Sequence, residues 1–215
     1  MVKSTDCFPS FGVFQGLRYD SAVQVKAVAM IAHAAAIEYL TEEGLDHALI
    51  SCRDVFGVTY TSRRDTRRSA DVLLENGFDF EVFKQTVEDR LSGLSEKPVA
   101  LSSACIGDLQ LPRYVGVRLH QSYVSDLVCR AAIAREAANQ AGGACLPIRT
   151  KFSHLSLLRY GNRSKRPPLK EQQSATLRTI VASAKEEVGL TEVYFGKLAV
   201  GIDIDKPLPD ELYSI

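Results

Sequence analysis

His154 and Ser156 stand two residues apart in the stretch Lys151 to Tyr160, read KFSHLSLLRY. An imidazole gains or loses a proton near neutral pH, and a hydroxyl two residues further along a strand lies about 7 Å away on the same face. Such a pair suits gripping and protonating a phosphate. Phe152, His154, Ser156 and Leu158 alternate with Ser153, Leu155, Leu157 and Arg159, so the period of two predicts a strand with one functional and one mostly apolar face. A His-x-Ser pair also arises from composition alone, and by itself it is weakly specific.

Other histidines compete for a role. Leu45 to Cys52, LDHALISC, predicts a second strand on which His47, Leu49 and Ser51 share a face. His120-Gln121-Ser122 is another His-x-Ser, at the end of YVGVRLH; it reads as a strand-end surface histidine and as the fallback partner of His154. His33 lies among alanines and reads as a packed helical residue. Arg63, Arg64, Arg67 and Arg68 form the densest basic cluster, either a solvated loop or helix start or a clamp for phosphate or RNA.

The elements that must position these residues follow from periodicity. Strands are predicted over Phe11 to Leu17, Leu45 to Cys52, Val55 to Tyr60, Val99 to Ile106, Tyr114 to Leu119, Lys151 to Tyr160 and Val193 to Ile204. Helices are predicted over Ala22 to Leu40, Phe80 to Leu94, Gln121 to Gln140 and Leu169 to Val188. Gly44 and Gly189 are the stops of the first and last helices. A strand, a helix and a strand recur in each half of the chain, a repeat of layout without repeated sequence.

At 215 residues the chain suits one large domain or two small lobes around a proper core. Lys plus Arg balance Asp plus Glu at 26 each, so no overall field recruits a long polyanion and any anion site must be local. Cys7, Cys52, Cys105, Cys129 and Cys145 are scattered without CxxC spacing, the pattern of buried thiols in a reducing compartment. No apolar run is expected to reach the length a bilayer needs, and MVKSTDCFPS lacks the order of a signal peptide, so the expectation is a cytoplasmic protein without a membrane partner. No Gly-rich phosphate loop or metal-ligand spacing stands out, and no obligate protein partner is evident.

KFSHLSLLRY, followed by a polar loop, a helix and VYFGKLAVGI, resembles the second motif region of the two-histidine (2H) phosphoesterases. The likeness is to their cyclic phosphodiesterases, whose motif reads His-x-Ser/Thr, two leucines and a tyrosine. VALSSACIGDLQLPRYVGVRL is similar to the strand pair that precedes that motif. The first half matches in layout, with His47-Ala48-Leu49 where the family carries His-x-Thr/Ser. The resemblance implies an α+β, bilobal 2H phosphoesterase fold: two pseudo-symmetric antiparallel sheets form a central cleft, with helices packed outside. It makes residues 1–215 a single bilobal domain, with elements exchanged between halves and motifs at 45–52 and 151–160.

It also implies metal-independent and cofactor-free hydrolysis of a 2′,3′-cyclic nucleotide phosphodiester or an RNA-terminal phosphodiester, by general acid–base catalysis between two histidines. His47 and His154 would be those catalytic residues. Ser156 would bind the phosphate, and Ser51 would stand in for the hydroxyl missing at Leu49, with Thr59 a more distant candidate. Tyr160, Arg159 and His120 are candidate ligand contacts. The alternative is a catalytically impaired 2H-fold module that binds nucleotides or RNA ends without cleaving them.

Overall fold

The alternating run Phe11–Leu17 forms strand β1 and feeds directly into helix α1, Tyr19–Glu42. The computed structural model describes residues 11–46, 49–53, 56–60, 77–92, 97–107, 114–142, 154–160 and 169–202. His47 and the Arg63 to Arg68 cluster lie outside the described residues. Strands β2, Ile50–Cys52, and β3, Gly57–Thr59, are shorter than the runs that predicted them. Helix α2, Phe80–Ser92, precedes the hairpin β4, Val99–Gly107, and β5, Tyr114–Leu119. Helix α3, Gln121–Gln140, strand β6, His154–Tyr160, and helix α4, Glu171–Val188, follow. Gly189 closes α4 at φ 70°, a left-handed conformation that favours glycine.

The expected last strand is two strands. β7, Glu192–Val193, pairs with β4, whereas β8, Phe195–Ile202, pairs with β1. The chain changes sheets at Tyr194, whose backbone N–H donates to Ser21 Oγ at 2.8 Å instead of continuing a ladder. Two antiparallel sheets result, in the orders β3-β1-β8 and β2-β6-β5-β4-β7. Each contains strands from both halves of the chain.

Each sheet has one face backed by helices. Helices α1 and α4 pack on each other and on the larger sheet, where Leu155, Leu157, Leu158, Tyr160, Val115 and Val117 are buried. Helix α1 is long and apolar enough to cross a membrane by length and composition, contrary to the expectation that no run reaches that length. Val25, Val28, Ala29, Ala32, Ala36 and Leu40 are nonetheless buried, making it a core helix of this fold. His33 sits in it as a packed residue, its Nε2 3.2 Å from the Ile50 carbonyl oxygen and so donating to it. Gln173 ties the two helices together: Nε2 donates to Glu43 at 2.9 Å and Oε1 accepts from the Lys170 N–H at 2.9 Å.

The smaller sheet is fastened to α3 by a buried polar network. Gln15 Oε1 accepts from Tyr60 Oη at 2.7 Å and from Arg130 Nη1 at 2.8 Å. Arg130 Nη2 lies 3.0 Å from Asp126, and the guanidinium covers the Tyr123 ring at 5.7 Å. A guanidinium only 3% exposed is tolerable because amide, carboxylate and ring surround it together.

Replacing Gln15 by Leu removes the acceptor that Tyr60 and Arg130 share. We expect a loss of about 2–4 kcal/mol in urea unfolding, and a smaller loss for Arg130→Met, which removes the charge along with its need for partners. Burial raises the Tyr60 phenol above its ordinary value, and Arg130 lowers it by less. The folded chain therefore holds this proton more tightly than the unfolded one. Its contribution is complete below about pH 10 and falls as pH rises further. Urea midpoints should drop above about pH 10, and less steeply in Tyr60→Phe.

Candidate active site on the open face of the larger sheet

Strand β6 carries one more residue than the strand it pairs with. Val115 is opposite Leu158 but Gly116 is opposite Ser156, so Leu157 has no partner of its own in β5. This is a β-bulge, and it resets the alternation of side chains. Leu155, Leu157, Leu158 and Tyr160 all turn to the helices, while His154, Ser156 and Arg159 turn the other way. The plain period of two had put Leu158 with His154 and Arg159 with the leucines; the bulge corrects both. Tyr160 is corrected with them, because it is fully buried and contacts the core, not a ligand on the open face.

Register then assembles the site. Arg118 pairs with His154, Gly116 with Ser156 and Tyr114 with Arg159 across β5 and β6. On the other side Ser51 of β2 pairs with Arg159. Directly paired residues share a face. The open face therefore holds Ser51, Tyr114, Arg118, His154, Ser156 and Arg159. Ser51 consequently stands beside Arg159 and three residues along the sheet from Ser156. Neither Arg118 nor Arg159 has a carboxylate partner among the described residues.

The His154 ring is held by a stack: Tyr114 lies 3.7 Å away between centroids, with the planes 6° apart. Two glycines make room. A Cβ on Gly107 would run into the Tyr114 ring, and a Cβ on Gly116 into the carbonyl oxygen of Leu155. Cys105 is opposite Gly116, and burial pushes its thiol up to about 11, with Arg118 pulling the other way. At neutral pH it is a protonated, unreactive thiol.

His120 follows β5 two positions beyond Arg118, roughly 8 Å from His154 by strand geometry. It is exposed and caps α3, where Nδ1 accepts from the Ser122 N–H at 3.3 Å and lies 2.8 Å from Ser122 Oγ. Thr59 belongs to the smaller sheet, opposite Phe14 on the face away from Gln15. That face is nearly bare: Gly16 pairs with Gly57, and a Cβ on Gly57 would meet the Gln15 carbonyl oxygen and the Phe14 ring. Among the described residues no group of three or more His, Cys, Asp or Glu side chains could hold a metal ion.

Arg118 and Tyr114 were not singled out from the sequence. Alternation in YVGVRL puts them on one face with Gly116, but only pairing with β6 puts that face beside His154.

Two antiparallel sheets, each backed by helices, give the expected α+β architecture. Among solved structures it is shared with Usb1 of Kluyveromyces marxianus, at 12% identity and a TM-score of 0.51, over 91% of this chain and 97% of that one. Usb1 with uridine monophosphate matches at 13% identity and a TM-score of 0.50, again over 91% and 97% of the two chains. The sequence matches no family model and no curated protein.

Gly116→Ala is expected to force β5 and β6 apart at the bulge. We expect a loss of about 1–3 kcal/mol in thermal unfolding, together with a displaced His154 resonance in NMR spectra.

Proposed function

We propose that the chain is a phosphodiesterase that processes a terminal phosphodiester of RNA. The observation that carries this reading is one open face where His154 and Ser156 stand beside Arg118, whose guanidinium has no carboxylate partner among the described residues. Such a face attracts an anion and supplies a proton donor or acceptor at a fixed place. The shared fold adds support, since Usb1 has been solved with uridine monophosphate, a nucleotide that carries a phosphate. A 2′,3′-cyclic phosphate is the finer alternative substrate, presenting the same charge and the same leaving oxygen.

In this mechanism Ser156 donates a hydrogen bond to a phosphate oxygen, and Arg118 neutralises charge that builds up on it. One imidazole takes the proton of the attacking oxygen, from water or a ribose hydroxyl, and a second protonates the leaving oxygen. His154 is one of the two. His47 is the other on the family pattern, and His120 competes with it because β5 carries it close to His154.

A second reading, binding without cleavage, is favoured by the smaller sheet. Phe14, Thr59 and Ala199 are the described side chains of its open face, and none is an imidazole.

The test is turnover of a short oligouridylate and of uridine 2′,3′-cyclic phosphate by the unaltered chain and by single alanine variants. His154→Ala should lose about 10²–10⁴-fold in kcat. Ser156→Ala should lose about 10–100-fold. Whichever of His47→Ala and His120→Ala matches the loss of His154→Ala is the partner. Equal turnover by His154→Ala and the unaltered chain would defeat the assignment, and binding without any turnover would select the second reading.

A further inference from the structure

Arg118 and Arg159 do not serve the same point. Tyr114 is opposite Arg159 and Arg118 is opposite His154, so the two arginines are four β5 residues apart, about 13 Å along the sheet. Their like charges oppose convergence, and the Tyr114 ring, rooted opposite Arg159 and stacked on His154, lies between them. Arg118 therefore belongs with the phosphate that His154 addresses. Arg159 belongs elsewhere: it is exposed, it has no carboxylate partner among the described residues, and Ser51 stands next to it on β2.

We propose that Arg159 and Ser51 form a second phosphate subsite, so that the ligand is a single-stranded oligonucleotide end held at two or more phosphates, not a lone mononucleotide. This rests on reading the same face as a phosphodiester site. A guanidinium offers a planar fork to two phosphate oxygens and the serine hydroxyl a further donor, the groups a backbone phosphate takes. Tyr114, between the two positions, offers an aromatic edge along the path of the chain. The bulge is what makes the subsite, since regular alternation would have turned Arg159 toward the helices.

The experiment compares Arg159→Gln with Arg118→Gln, and with Arg178→Gln as a control on α4, where Arg178 is paired with Glu171 at 3.0 Å. Binding of fluorescent oligouridylate is followed by anisotropy over a range of salt, alongside kinetics on the oligonucleotide and on uridine 2′,3′-cyclic phosphate. For Arg159→Gln the expected result is about tenfold weaker oligonucleotide binding, and a salt slope shallower by about 0.7. Oligonucleotide KM should rise with kcat kept, and handling of the cyclic mononucleotide should not change. Arg118→Gln should impair both substrates, and Arg178→Gln neither.

The subsite is overturned if Arg159→Gln leaves affinity and salt slope unaltered, if it weakens mononucleotide and oligonucleotide equally, or if the unaltered chain does not bind the oligonucleotide. Loss of turnover on every substrate, with the Arg159→Gln binding effect intact, would defeat the enzymatic reading and keep the subsite.

Discussion

One surplus residue in β6 decides what the open face of the larger sheet can do. The segment after Ser156 reads Leu157-Leu158-Arg159-Tyr160, and strict alternation would send Arg159 toward the helices and leave Leu158 and Tyr160 outside. Each large apolar side chain left outside forfeits about 1.5–3 kcal/mol, and an unpaired buried guanidinium costs several more. The bulge at Leu157 removes all of these penalties for the loss of one ladder position. Gly116 allows it, because only a residue without Cβ can lie against the Leu155 carbonyl where the strand bends. A packing requirement in the core thus places a positive charge on the face with the histidine.

The two sheets handle polar groups in opposite ways. The smaller one turns Gln15 to the helix side, in a network with Tyr60 and with Arg130 of α3, and its other face, which carries Thr59, is floored by glycines under the Phe14 ring. The larger one fills its helix side with apolar residues and the buried Tyr160, and puts its imidazole, serine hydroxyls and arginines outside. Interleaving of the halves makes this division possible. β2 reaches the larger sheet and supplies Ser51, while β8 turns away at Tyr194 to complete the smaller one.

Local patterns carried the elements well, because burial and turn chemistry act within a few residues. The limits of β1, β5 and α3 follow from alternation or helical spacing alone, and Gly189 ends α4 where a glycine stop was expected. Helix α1 starts earlier than its apolar stripe, at Tyr19, since Tyr19 and Asp20 are exposed and the buried Ser21 is polar, so that apolar periodicity has nothing to register before Ala22. Pairing is where local reading stops. The run from Val193 to Ile204 looks like one strand because both of its sheets want the same apolar residues, and only the partners, Val99 for Val193 and Leu17 for Phe195, separate them. His154 and Ser156 were visible as a pair. Alternation alone sends Arg159 to the wrong face because a bulge is a mismatch between two strands and has no signature in either, and nothing local in β5 says that Arg118 will stand beside His154.

The charge balance of the chain bears on how such a face must work. With acids and bases equal over the whole sequence, long-range steering contributes little, and affinity for an anion must come from short contacts at the sheet surface. Short contacts hold position as well as charge. Ladder hydrogen bonds fix the strands that carry Arg118, His154, Ser156 and Arg159, and the Tyr114 stack fixes the imidazole plane, so little ordering is left to be done when a ligand arrives. On the smaller sheet β3 offers only Thr59 on its bare face, since any side chain at Gly57 would collide with the Gln15 backbone and the Phe14 ring. Among the described residues the polar side chains are therefore concentrated on the open face of one sheet, while the bare face of the other is floored by glycines and carries the Thr59 hydroxyl.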